Sequence, residues 1–134
     1  VEAEALLSSP PASDAEAAVV MAALAPAYVH RADPERLRRL MADTVFSASA
    51  MRRGFEVLAT WSSVDRLGAI TAPTLVIAGR HDPFTSWPQA QRIADRIPDA
   101  EVVVFEESSH FPWLDEPAAF ATTVLGWLTR RGVG

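Results

Sequence analysis

Cysteine is missing from the 134 residues, and so is lysine. The first absence excludes disulfides, thiolate nucleophiles and cysteine-held zinc or iron–sulfur centres, and it leaves the redox compartment open. The second makes arginine the source of all 12 basic side chains, which reads as a compositional habit and not as a functional signal. No run of about 18 apolar residues occurs, so a membrane-spanning helix is excluded. The stretch 17–29 comes nearest, but it is short and contains Pro26. The opening Val-Glu-Ala-Glu-Ala has no basic region followed by an apolar one, so no secretory signal is visible in it. The true N-terminus is expected to lie elsewhere, so localisation is open, with cytoplasmic as the default.

A basic stripe interleaved with aromatics is lacking too. The formal net charge is -5, with four acids and no base in 1–30, seven arginines against five acids in 31–66, and five against eight in 67–134. Arg36, Arg38 and Arg39 make the densest basic spot. With Glu35 and Asp43 beside them they read as the solvated face of a helix, and nucleic acid is not an expected partner. What is present is an ordinary globular composition, 49% apolar, in a length that suits one modest core.

Residues 1–12 hold two prolines and no apolar repeat, and are expected to form a loose loop. Ser13 followed by Glu16 has capping-box spacing. It predicts a helix over 14–30 presenting Ala18, Met21, Ala22, Ala25 and Val29, kinked or split by Pro26. Asp33 as cap and Pro34 at the first position open a second helix, with Leu37, Leu40 and Met41 on one side. A third covers about 50–60, and 63–68 makes a brief turn. Then the texture changes. Thr74-Leu75-Val76-Ile77-Ala78 is a continuous apolar run without polar alternation, as in a strand of a parallel sheet buried on both faces. A helix follows over 87–97 (Ala90, Ile93, Ala94, Ile97), then a second buried strand at 102–105 and a loop over 106–112. Asp115 and Pro117 open a last helix with Phe120, Val124, Trp127 and Leu128 as its stripe.

Strand, helix, strand, helix is the crossover pattern of a doubly wound α/β fold. Two parallel strands alone would leave backbone groups open at both edges. Either 1–66 conceals weak strands, or this sequence folds beside further sheet from another polypeptide.

Two residues stand at the carboxyl ends of the two strands, the edge where parallel sheets collect reacting groups: Asp82 after the first and His110 after the second. A carboxylate beside an imidazole fixes its tautomer and stabilises the protonated ring. From strand position alone, Asp82 as a turn cap and His110 as an ordinary loop residue explain the sequence equally well. His81 and His110 could be imagined as a metal pair, but catalytic zinc needs three placed ligands, so no metal is expected. Trp61, Trp87, Trp113 and Trp127 read as packing residues, with Trp113 and Phe111 near enough to His110 to wall a pocket. His30 reads as a helix-end residue.

The segment 72–85, Ala-Pro-Thr-Leu-Val-Ile-Ala-Gly-Arg-His-Asp-Pro-Phe-Thr, resembles that around the triad aspartate of α/β-hydrolases in the proline iminopeptidase and haloperoxidase-like group. The segment 107–117, Glu-Ser-Ser-His-Phe-Pro-Trp-Leu-Asp-Glu-Pro, is similar to that around their triad histidine. The resemblance is close over about 60–130, while 13–60 looks like the helical cap the family inserts.

It implies the C-terminal portion of a doubly wound, mostly parallel α/β-hydrolase sheet. Residues 1–60 would be a cap segment with a loose N-terminal loop, and 61–134 would belong to the core. The strands at 74–78 and 101–105 would be the seventh and eighth, so the sixth, neighbour of the first of them, is not in this sequence. The family's nucleophile sits in a Gly-x-Ser-x-Gly elbow, which does not occur here. Ser47, Ser49, Ser62, Ser63, Ser86, Ser108 and Ser109 lack its flanking glycines, and the oxyanion donors are missing as well.

The expectation is therefore a serine-dependent hydrolase of an ester or amide, acting through an acyl-enzyme and needing no cofactor. Asp82 and His110 would come from this chain, and the serine from an N-terminal chain of the same enzyme, as a heterodimer. The isolated chain is expected to be inactive. Cleavage of one precursor in the 1–12 loop would account for the division, against separately encoded subunits. The substrate would be a small molecule or short peptide. An iminopeptidase holds the substrate's amino group with carboxylates in the cap and beside the triad aspartate. Here Pro83 follows Asp82 and Glu56 is a poor match, which weakens an aminopeptidase and leaves esterase, lactonase or carbon–carbon hydrolase open. A non-catalytic interaction subunit with a hydrolase-like fold is the alternative from another class.

Overall fold

A computed structural model describes residues 10–132; most of the loop expected over 1–12 therefore lies outside the described residues. The elements run α1 (Asp14–Tyr28), α2 (Pro34–Ala42), α3 (Ala48–Leu58), a 3₁₀ turn (Val64–Ala69), β1 (Thr74–Gly79), α4 (Trp87–Ala94), β2 (Ala100–Phe105), α5 (Pro112–Asp115) and α6 (Pro117–Arg130). They group into two compact units. One contains residues 10–27 and Asp33–Ser62, the other Tyr28–Ala32 and 63–132.

The first unit is helical. Ser13 Oγ accepts the Glu16 N–H at 3.2 Å, and the Glu16 carboxylate returns to the Ala12 N–H at 2.8 Å, so the expected box forms with its second bond shifted by one residue. Pro26 does not split α1, which runs two residues past it. A proline lacks the N–H that would bond the carbonyl four residues back. That carbonyl, on Ala22, takes a bond from Arg38 Nε instead, at 3.4 Å. The buried positions of α1 are Ala17, Leu24 and Ala25, while the expected Ala18 is exposed. Alanines on every side of the helix give it almost no amphipathic signature, so its periodicity carried little information. In α2, Asp33 accepts the Glu35 N–H at 2.9 Å, Pro34 takes the first position and Leu37 is buried; Leu40, expected beside it, is exposed. Ser47 caps α3, and Ala48 donates its N–H to Asp14 at 2.8 Å, which ties the start of α3 to the start of α1.

The second unit is built on a parallel pair. β1 and β2 align from Thr74 opposite Ala100 to Gly79 opposite Phe105. Among the described residues no further strand joins them, and none lies in 10–66. Positions 74–77 of β1 and 100–104 of β2 are half-buried, not enclosed on both faces as their composition suggests. Two strands and three helices leave these apolar side chains only partly covered, so the expectation of burial on both faces is not met here. The helix α4 packs on both strands through Ala90 and Ala94. Phe105 and Glu101, on one side of β2, meet α6: Phe105 lies 5.9 Å from the Phe120 ring, and Trp127 Nε1 donates to Glu101 at 3.1 Å. Burying rings such as Phe105 and Trp127 contributes about 1.5–3 kcal/mol each. Arg131, just past α6, forks onto Asp99 at 2.8 and 2.9 Å and reaches Glu101 at 2.9 Å, fixing the end of α6 to the start of β2. Gly132 follows with φ 70°, a left-handed helix stop.

Candidate active site

The carboxyl ends of β1 and β2 are joined by their own backbone. Arg80 donates its N–H to Phe105 O at 2.9 Å and His81 donates to Ser108 O at 2.9 Å, so the chains leaving the two strands travel side by side. Gly79 permits this. A Cβ at that position would overlap the carbonyls of Ser108 and Ser109, and only a residue without one allows so close an approach. Arg80 and Glu106 add a two-pronged ion pair at 2.6 and 2.7 Å across the same junction.

Asp82 comes three residues past β1, with its side chain only 3% exposed, and its two oxygens have separate partners. Oδ1 accepts the N–H groups of Phe84 at 2.8 Å and Thr85 at 3.1 Å, an Asx turn. Oδ2 accepts the Thr85 hydroxyl at 2.5 Å and faces His110 Nδ1 at 2.8 Å. The two sequence readings of Asp82, turn cap and histidine partner, are both realised, one on each oxygen. Burial pushes the Asp82 carboxyl up. Hydrogen bonds from the Thr85 hydroxyl, the Phe84 N–H, His110 and the Thr85 N–H outweigh it and hold the group below the ordinary carboxylate range. An ionised carboxylate only accepts, so Nδ1 of His110 carries the proton, and Nε2 of the neutral ring is left as an acceptor.

His110 is half-buried within aromatic rings. Tyr28, Phe84 and Phe111 meet its ring edge-on at 5.1, 5.9 and 5.1 Å between centroids. Its own N–H donates to Tyr28 O at 3.1 Å. A recess of about 310 Å³ opens beside Asp82, Thr85 and His110, with Ile77, Trp113 and Phe120 among its walls. Trp113 walls the recess as expected, whereas Phe111 packs on the His110 ring and is not among the residues that line it. Tyr28 and Thr85 were not singled out. Thr85 carried a legible signal, the three-residue spacing from Asp82 that an Asx turn uses; Tyr28 carried none, because only folding brings it to His110.

The other candidates resolve individually. His81 stacks on His30 at 3.7 Å, with 7° between the rings, and so His30 joins the second unit. Among the described residues no three His, Asp or Glu side chains converge with metal-binding geometry. Ser108 and Ser109 are buried; Ser108 Oγ donates to Glu116 at 2.6 Å and Ser109 Oγ to the His81 carbonyl at 3.3 Å. Asp115, expected to open the last helix, does not; Glu116 holds the position before α6 without a side-chain capping bond, and Asp115 binds backbone elsewhere.

Known proteins are similar to this chain over part of its length. Over 86 residues, 64% of the chain, it is 31% identical to the pimeloyl-acyl-carrier-protein methyl ester esterase of Klebsiella pneumoniae, covering 34% of that protein. Over 63 residues, 47% of the chain, it is 40% identical to a 2-hydroxy-6-oxononadienedioate/2-hydroxy-6-oxononatrienedioate hydrolase of Cupriavidus pinatubonensis, covering 22% of it. The esterase of Exiguobacterium antarcticum shares its fold at a TM-score of 0.77 and 23% identity, over 95% of this chain and 47% of that one. The chain thus spans only about a third of the length of several curated relatives that it matches, 30% to 34%. The sequence profile of the Alpha/beta hydrolase family matches residues 2–123, well over half of the chain. The chain belongs to the alpha/beta hydrolase family.

Proposed function

We propose that this chain supplies the acid and the base of a serine hydrolase that cleaves a carboxylic ester through an acyl-enzyme. The 2.8 Å bond between Asp82 and His110, at the carboxyl edge of parallel strands, carries the reading. In it, a serine on a Gly-x-Ser-x-Gly elbow outside these 134 residues attacks the ester carbonyl. His110 Nε2 takes the serine proton, and Asp82 stabilises the imidazolium through Nδ1–H. The proton passes to the departing alcohol. Water, deprotonated by His110, then releases the acid and restores the serine. The first unit serves as the helical cap, and the serine-bearing part pairs along the edge of β1 that faces away from β2.

An ester is favoured over a peptide with a free amino group. Among the described residues Asp82 is the only acid lining the recess, and its oxygens already accept four hydrogen bonds, so no described carboxylate there is left to receive an ammonium. The walls formed by Trp113 and Phe120 suit an uncharged acyl or alcohol group, and the relative in Klebsiella pneumoniae bears the name of a methyl ester esterase.

In the complete hydrolase, His110→Ala is expected to abolish turnover of p-nitrophenyl acetate while leaving folding intact. Asp82→Asn is expected to lower kcat by about 10⁴, the loss in the protease worked example for this substitution. Wild-type turnover in either purified variant removes that residue from the mechanism.

A further inference from the structure

Asp115 is a buried carboxylate with no role in the reaction above. It takes main-chain N–H groups from two separate stretches of the chain. Oδ1 accepts those of His30 at 2.9 Å, Arg31 at 2.8 Å and Ala32 at 2.8 Å; Oδ2 accepts Ser109 at 2.9 Å and shares the His30 N–H at 3.0 Å. Three successive N–H groups turned toward one oxygen form a backbone nest, an arrangement that binds anions. The Ser109 amide belongs to the residue just before His110. The next residue after Asp115 acts on the same loop: the Glu116 carboxylate accepts the Glu107 N–H at 3.1 Å and the Ser108 hydroxyl at 2.6 Å.

We propose that Asp115 is a positioning residue for His110. Its carboxylate ties the loop that carries the imidazole to the 28–32 segment, and so sets where the ring stands relative to Asp82. This rests on the hydrolytic reading of Asp82 and His110.

The geometry supports a specific function for the tie. His110 bonds the 28–32 segment directly, through its N–H to Tyr28 O at 3.1 Å, and the Tyr28 ring packs on the imidazole at 5.1 Å. The Asp115 bridge closes a ring of contacts: His110 to Tyr28, along the chain to 30–32, across Asp115 to Ser109, and back to His110. Two chain stretches distant in sequence are held in one register, and both shape the imidazole's surroundings. Each Asp115 oxygen can accept two hydrogen bonds or more, and every donor at hand is an amide N–H. An asparagine would turn an NH₂ toward one set of those donors, either the nest or Ser109. One side of the bridge opens, and the loop bearing His110 is free to shift. A misplacement of about 1 Å in a reacting group costs on the order of 10²-fold in rate.

The test uses the complete hydrolase with its serine-bearing part, p-nitrophenyl acetate as substrate, and the low-field proton resonance of His110 Nδ1–H. Asp115→Asn is expected to lower kcat on the order of 10²-fold with KM little changed, and to broaden or shift the resonance, at temperatures well below its melting transition. Asp115→Glu, which keeps a carboxylate on a longer arm, is expected to recover part of both. A purely structural role would lower the melting temperature and leave kcat and the resonance alone in the folded protein, which overturns the proposal. If Asp115→Asn does not fold, Asp115→Glu decides on the same readouts: wild-type values overturn the proposal, and a reduced kcat with a displaced resonance supports it. His110→Ala separates the two claims. If it retains wild-type turnover, the hydrolytic reading fails, and the resonance alone decides, an unchanged signal in Asp115→Asn overturning the positioning role.

Discussion

The Thr85 hydroxyl and the His110 ring share one oxygen of Asp82, and Thr85 Oγ1 lies 3.5 Å from His110 Nδ1. Replacing Thr85 with valine keeps the shape and removes the donor. A hydrogen bond to a charged group contributes about 1.5–3 kcal/mol, and each 1.36 kcal/mol of barrier corresponds to about tenfold in rate. Thr85→Val is therefore expected to lower kcat roughly tenfold or more, while Thr85→Ser stays near wild type. The same pair reads the pH dependence. Asp82 is held below its ordinary range, so its contribution to stability is complete above the unfolded value, about 3.9, and is lost as pH falls through the folded value. Without the Thr85 donor that depression is smaller. Thr85→Val should then be less stable than wild type at pH 7, with the gap closing below about pH 4. Urea titrations of the complete hydrolase across this range check it; a gap independent of pH would show that the hydroxyl acts on something other than the Asp82 charge.

At the scale of elements, the site depends on how tightly two strand ends approach. Any side chain at Gly79 meets the carbonyls of Ser108 and Ser109, which are themselves fixed through Ser109 to His81 and Asp115. Gly79→Ala must push β1 and the His110 loop apart, straining the His81-to-Ser108 backbone bond. Overpacking of this kind costs about 1–3 kcal/mol. The expected result is a urea midpoint lowered accordingly, together with a loss of esterase activity larger than the unfolded fraction explains. A variant with wild-type midpoint and kcat would show that the junction yields without cost. The first unit is less demanding: its helices close through caps such as Asp33 and through the Arg38 bond to the carbonyl that Pro26 leaves free.

For the molecule as a whole, the two-stranded sheet sets the limit. With β1 bonded to β2 alone among the described residues, and apolar positions 74–77 only half covered, the sheet offers an edge to further strands. Purified by itself, the chain is expected to associate or to melt without cooperativity, and to be inactive. Refolded with the serine-bearing part, it is expected to give a defined complex with esterase activity. Sedimentation and thermal melts measure this; a monomer with a sharp melt would show that two strands and their helices suffice.

Local rules account for much of what was legible in the sequence. The caps at Ser13 and Asp33, the apolar β-branched runs of β1 and β2, and the spacing of Ala90 and Ala94 act over a few residues and can be read without a fold. The positions of Asp82 and His110 after two such strands, with the motifs around them, located the candidate dyad. Tertiary structure alone decided the rest. Which side of the alanine-rich α1 is buried depends on what packs there, since alanine marks no side. The meeting of Tyr28 with His110, of His30 with His81, and of Asp115 with the 30–32 amides joins segments far apart in sequence. No periodicity records such contacts, because main-chain amides are the same at every residue and only folding selects the three that one carboxylate collects.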